Sequence, residues 1–215
     1  MTEASLTAGS PSLWSPLRRR LFRDRLLASV VSNTGSWMQD TAGTWPMTAL
    51  TISPLLIALM QTAASLPVLL LGLPAGATAD ILDRRRLLLL WAGWMLVAAV
   101  ILSVLTLTSW IGAWSLLLLT FLLSLGSAMN GPTWQAIVPE MVPREELPEA
   151  IALNSAAFNI ARAIGPAAGG LTVAAFASVM LGAGIVFFSN AVSFAGVLIV
   201  IYRCKRTPLF TCARP

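Results

Sequence analysis

The chain has 215 residues, of which 57% are hydrophobic and 11% charged, against the roughly 25% charge of a soluble domain. It contains no histidine. That excludes a Ser-His-Asp triad, an HExxH zinc site and a histidine-ligated haem, so no enzyme, metal site or cofactor is expected. The net charge of +5 takes its meaning from where the arginines fall.

In chain order, residues 1–16 are rich in Ser, Thr, Pro and Gly and lead into Arg18, Arg19, Arg20, Arg23 and Arg25. Residues 1–24 are therefore expected to form a disordered basic tail. The apolar run that follows is too long for a signal peptide, and no cleavage is expected. A membrane-crossing helix needs roughly 20 predominantly apolar residues. Six stretches qualify: residues 26–50, 55–79, 87–107, 111–131, 150–175 and 181–202. This predicts an all-α membrane protein, a six-transmembrane-helix bundle over residues 25–203 with a short tail at 204–215. Both cysteines, Cys204 and Cys212, fall in that tail and cannot staple the fold.

The connections alternate in character. Residues 51–54, 108–110 and 176–180 carry no charge, whereas the opposite side holds the five N-terminal arginines, Arg84, Arg85, Arg86, Arg144, Arg203, Lys205, Arg206 and Arg214. Thirteen of the fourteen basic residues thus share one face, which the excess of Lys and Arg in cytoplasmic loops makes the cytoplasmic one. Both termini are expected there. The basic excess is topological, the lipid bilayer is the first partner, and no nucleic-acid partner is expected. Trp91 and Trp94 at one level and Trp110 and Trp114 at the other sit where aromatic belts anchor helix ends.

The remaining basic residue, Arg162, falls near the middle of the fifth stretch, and Asp40 is the one carboxyl inside any of the six. A charge at mid-bilayer costs on the order of 3 kcal/mol, so both are expected to face a bundle interior or a wet cavity, at comparable depth. Three roles fit Asp40: a proton-coupling or cation-recognising group, half of a static packing pair with Arg162, or a carboxyl that merely hydrogen-bonds Gln39, Thr44 or water. Asn33, Ser36, Asp40 and Thr44 recur at intervals of three and four and share one helix face. Ser155, Asn159, Arg162 and Pro166 do the same in the fifth stretch, and Ser124, Ser127, Gly131 and Gln135 in the fourth. These stripes predict one shared central site, with the third and sixth helices as supports against lipid. Gly165, Pro166, Gly169 and Gly170 predict a kinked, tightly packed fifth helix.

At the end of the second stretch, Gly76-Ala77-Thr78-Ala79-Asp80-Ile81-Leu82-Asp83-Arg84-Arg85-Arg86 resembles the GxLaDrxGrrxxl loop motif of the major facilitator superfamily. Ile81 stands where the motif has a basic residue and Asp83 where it has a second Gly. The resemblance implies that Gly76, Asp80, Arg84 and Arg85 belong to a cytoplasmic charge network that latches the two halves of a transporter. The run Gly165-Pro166-Ala167-Ala168-Gly169-Gly170 is similar to the GPxxGG core of the antiporter motif of that superfamily. Trp37-Met38-Gln39, Asn130-Gly131-Pro132-Thr133-Trp134-Gln135-Ala136, Val142-Pro143-Arg144-Glu145-Glu146-Leu147 and Ala152-Leu153-Asn154-Ser155 are similar to its transmembrane secretion effector branch.

A full member of that superfamily has twelve spans in two parallel-related halves with substrate between them. The resemblance therefore implies the N-terminal half of a secondary active transporter in a bacterial inner membrane, a proton-coupled exporter of small amphipathic molecules of the drug or siderophore type. Asp40, Arg162, Gln39, Asn33, Trp37, Asn159 and Gln135 are the expected coupling and cavity residues. No Walker A loop is present, so the energy is expected from an ion gradient or from a partner protein. The partner is expected to be a second six-span half or another copy. The alternative is a truncated, non-transporting remnant or a homodimerising half.

Overall fold

The computed structural model describes residues 13–203 apart from Leu82 and Met141. The expected tail at 204–215 and residues 1–12 lie outside the described residues. Six long α-helices follow one another: α1 (Arg20–Leu50), α2 (Pro54–Ile81), α3 (Arg84–Leu107), α4 (Ala113–Ile137), α5 (Leu147–Ala174) and α6 (Val179–Arg203). They correspond one for one to the six apolar stretches. The expectation of a disordered tail through residue 24 is corrected for its last part. A 3₁₀ turn, Ser15–Arg18, leads directly into α1, and Phe22 is buried with Val138, Val142 and Ala150 against the α4–α5 connection. The arginines there ride on a helix whose apolar side has a partner.

Local chemistry sets the helix ends. Pro54 opens α2, where its missing N–H costs nothing. Asp83 caps α3, its carboxylate accepting from the backbone N–H of Arg85 at 3.0 Å and of Arg86 at 3.3 Å; this satisfies donors that the first turn otherwise leaves orphaned. Ser109 between α3 and α4 takes the left-handed φ of 58°, and Ser115 closes the start of α4 by accepting from the Gly112 N–H at 2.9 Å.

Four segments are long and apolar enough to cross a membrane: Pro54–Gly72, Arg84–Leu107, Ala113–Gln135 and Val179–Tyr202. Among the described residues α1 and α5 fall short of that measure, so four candidate spans stand where six were expected. The reason is compositional. Their polar stripes, with Asp40 in one and Arg162 in the other, replace the apolar residues that the measure counts.

In packing, α1 lies against α5 and α6, α6 against α3, α3 against α4, and α4 against α2. The main apolar core sits among α3, α4 and α6, with Met95, Leu102, Leu116 and Phe187 buried in it. The far sides of α3 and α6 expose Leu90, Val97, Ile101, Val104, Phe188, Val192 and Ile199. Apolar surface of that extent is suited to lipid. Contacts between α1 and α5 are different in kind. A Cβ on Gly165 would collide with the Trp37 side chain and lie 3.1 Å from the Thr34 carbonyl oxygen, and one on Gly169 would lie 2.6 Å from that of Met38. Glycine at these two positions lets one backbone rest on the other. The α5 helix runs through Pro166 without interruption.

Candidate functional site

The polar residues of α1, α4 and α5 converge on one cavity of about 510 Å³. Ser29, Ser32 and Asn33 come from α1, Ser127, Asn130, Gly131, Trp134 and Gln135 from α4, Ile151, Asn154, Ser155, Phe158 and Asn159 from α5, and Val197 from α6. Val138 and Pro139 close it beyond α4. It lies toward the end of the bundle that holds the start of α1, the end of α4 and the start of α5. Among the described residues its lining carries no charged side chain. Some of its polar groups are engaged locally: the Asn33 Nδ2 donates to Ser29 Oγ at 3.0 Å, and the Asn159 Nδ2 to the Ser155 carbonyl at 2.9 Å. Others are not. The Asn130 Oδ1 and the Trp134 Nε1 are buried and have no hydrogen-bond partner, which leaves one acceptor and one donor for a bound molecule or water.

Of the expected cavity residues, Asn33, Asn159 and Gln135 line this space. Trp37 and Arg162 stand beside it. The Arg162 guanidinium carbon is 5.5 Å from the centroid of the Trp37 ring, and Trp37 meets the cavity residue Phe158 edge-on, with centroids 6.1 Å apart and ring planes at 70°. Asp40 is exposed on the same side of α1. The helices that carry Asp40 and Arg162 do approach each other, but no ion pair joins the two. Helix register accounts for this. Gly165 lies level with Thr34 to Met38 and Gly169 level with Met38, so Asp40 stands about two turns beyond Arg162, roughly 9–13 Å along the axes.

Gln39 requires a correction, for it does not face the cavity. It is buried against α6, where the Asn190 Nδ2 donates to its Oε1 at 2.7 Å, and the Asn190 Oδ1 in turn accepts from Ser193 Oγ at 3.1 Å. Successive helical residues point roughly 100° apart, so Gln39 and Asp40 serve different faces. The sixth helix is accordingly more than an apolar support. Ser29, Ser32 and Trp134 are cavity residues that the stripes did not single out. Ser29, four residues before Asn33, extends the α1 stripe by one turn toward its start, a spacing legible in the sequence.

At the expected latch, Gly76 has open space where a Cβ would stand. Asp80 lies in the last turn of α2, and its side chain is outside the described residues. Arg85 reaches across to α6, its Nη2 donating to the Tyr202 carbonyl at 2.9 Å. A cation there complements the negative end of the α6 dipole. Asp83, a departure from the motif, is the α3 cap.

The family model described as transmembrane secretion effector matches residues 11–210. An uncharacterized MFS-type transporter, YfiS of Bacillus subtilis (strain 168), is 30% identical over 191 residues, which cover 83% of this chain and 44% of that protein. The staphyloferrin A transporter of Staphylococcus aureus (strain NCTC 8325 / PS 47) is 29% identical over 143 residues, 66% of this chain and 36% of that protein. Macrolide efflux protein A of Streptococcus pyogenes is 26% identical over 128 residues, 58% of this chain and 31% of that protein. The matches span less than half the length of each of these curated relatives.

Proposed function

We infer the function from one premise: the chain belongs to the transmembrane secretion effector family of the major facilitator superfamily, and is a multi-pass membrane protein. On that premise it is one six-helix half of a proton-coupled exporter of small amphipathic molecules, working with a second six-helix unit. All six helices span the membrane, α1 and α5 with their polar stripes turned from lipid. The arginine-bearing ends face the cytoplasm of a bacterial inner membrane, as the side that retains Lys and Arg.

The observation that carries this reading is the convergence of polar side chains from α1, α4 and α5 on one cavity whose described lining is uncharged. Its wall mixes carboxamides and hydroxyls with Phe158, Trp134, Ile151 and Val197, a match to molecules that carry both apolar and hydrogen-bonding surface. Two of the relatives are, by name, a staphyloferrin A transporter and a macrolide efflux protein, so drugs and siderophores are the substrate classes to try. Asp40 serves as the proton-coupling group. It is a carboxyl well inside a long helix, without an ion pair or hydrogen bond among the described residues to hold it in one state, and such groups mark proton relays in transporters. Arg84 and Arg85 belong with Asp80 to the latch at the α2–α3 turn, and Gly165 and Gly169 keep α1 and α5 in register as the halves move.

The test is efflux of a radiolabelled macrolide from proteoliposomes with an imposed pH gradient. Joined to a matching second half, the chain should drive accumulation that Asp40→Asn abolishes without lowering protein level. Undiminished accumulation in that variant would remove Asp40 from the coupling role. Efflux by the chain with no second half would replace the two-unit exporter by a homodimer.

A further inference from the structure

Among the described side chains, Arg162 has no carboxylate to answer its charge. It makes no ion pair or hydrogen bond among the described residues, and Asp40 lies about two turns farther along. The other acids with described side chains, Asp24, Asp83, Glu145, Glu146 and Glu149, sit at or beside helix ends, far from the middle of α5. What Arg162 does have is an aromatic bed. The Trp37 ring lies 5.5 Å from its guanidinium carbon, and Phe158 braces that ring edge-on. The ring takes none of the guanidinium's hydrogen bonds, and its five N–H donors, in a planar fork, meet no acceptor among the described residues. An exposed cation, oriented by stacking and unpaired at depth in a membrane, is costly unless something supplies the opposite charge.

The bracing residue Phe158 is itself part of the cavity wall, and the described residues of that wall are uncharged. An oxyanion on Arg162 therefore belongs to a molecule whose remaining surface meets neutral groups such as Asn33, Asn154 and Gln135. We propose that Arg162, held on Trp37, is the anion-recognising group of this site, and that its ligands carry a carboxylate-type oxyanion on an otherwise uncharged, partly apolar body. The inference deepens the exporter reading and rests on it for the word substrate, while the binding it predicts belongs to the chain alone. The fork takes two oxygens side by side, a geometry lysine cannot reproduce.

The experiment titrates the intact chain in lipid nanodiscs with two probes of the same body, naphthalene-1-acetate and its neutral amide. Wild type should bind the acetate saturably and at least about tenfold more tightly than the amide, as a charge-assisted forked pair requires. Arg162→Gln should erase that preference, and Arg162→Lys should keep only part of it. Trp37→Leu should weaken acetate binding while Arg162 remains. Equal affinity of wild type for the two probes, absence of saturable acetate binding, or an unchanged preference in Arg162→Gln would each overturn the proposal. The wild-type comparison decides the matter even where a variant fails to insert. Loss of export with the acetate preference intact would count against the exporter reading alone.

Discussion

The α1–α5 pair and the α3–α4–α6 cluster are both tightly packed, yet by different means. Among α3, α4 and α6 the contact is made by large side chains: Phe187, Leu102 and Leu116 are fully buried, and even the glycines there receive side chains, Gly184 that of Leu107 and Gly126 that of Met95. Between α1 and α5 the contact is made by backbone, Gly165 and Gly169 lying on the main chain of Thr34 to Met38. The difference has a functional consequence. Helices joined through glycine need few of their side chains for adhesion, so Asn33, Ser155, Asn159 and Arg162 are available to the cavity and its edge. Helices joined through large apolar side chains spend them on the core and keep the rest for lipid.

The strongest way to break this contrast is to put a side chain into the backbone contact. Gly165→Leu should destabilise the chain by at least about 3 kcal/mol, because Thr34 to Met38 cannot move aside without moving α1. Gly170→Leu, with nothing within 4 Å of the new Cβ, should change stability by less than about 1 kcal/mol. Thermal unfolding of both in detergent micelles reads the difference; equal loss in the two would deny that α5 sits on α1 by glycine. A sharper view of the apolar side comes from adjacent phenylalanines. Phe187 is 0% exposed and Phe188 57%, so Phe187→Ala should cost roughly 2–4 kcal/mol through the cavity it leaves, and Phe188→Ala, facing lipid, under about 1 kcal/mol. The smallest expected effect lies outside both regions. Arg19 donates through Nε to Glu146 at 2.8 Å, with its side chain 46% exposed, and Arg19→Gln should shift stability by at most about 0.5 kcal/mol. A larger loss would mean that the turn before α1 clamps the α4–α5 connection.

How much of this was legible beforehand follows from the kind of signal each feature leaves. Helix number and limits were readable because charges, prolines and Ser or Thr punctuate long apolar runs, as at residues 51–54 and 108–112. The cavity was readable in outline because the three- and four-residue spacing of Asn33 and Asp40, and of Ser155, Asn159 and Arg162, fixes a face within each helix. The spacing does not fix the register between helices. That is why Asp40 and Arg162 were expected at one depth and lie at two, and why the stacking of Arg162 on Trp37 came only with the structure. Gln39 and Asn190 illustrate the other limit. Each is a lone polar residue among apolar neighbours, and neither sequence position reveals that 151 residues farther along the other group waits to pair with it.

A transport cavity in this bundle requires one face to be wet and the opposite one dry. In a Cys204→Ser, Cys212→Ser background, single cysteines at Asn33, Gln135 and Asn159 on the cavity, and at Val97 and Val192 on the apolar side, can be exposed in membranes to a charged maleimide that dissolves only in water. The cavity positions should label within minutes and the apolar positions not at all. Equal labelling of the two sets, or protection of the cavity set, would contradict the cavity as a path for a water-borne substrate.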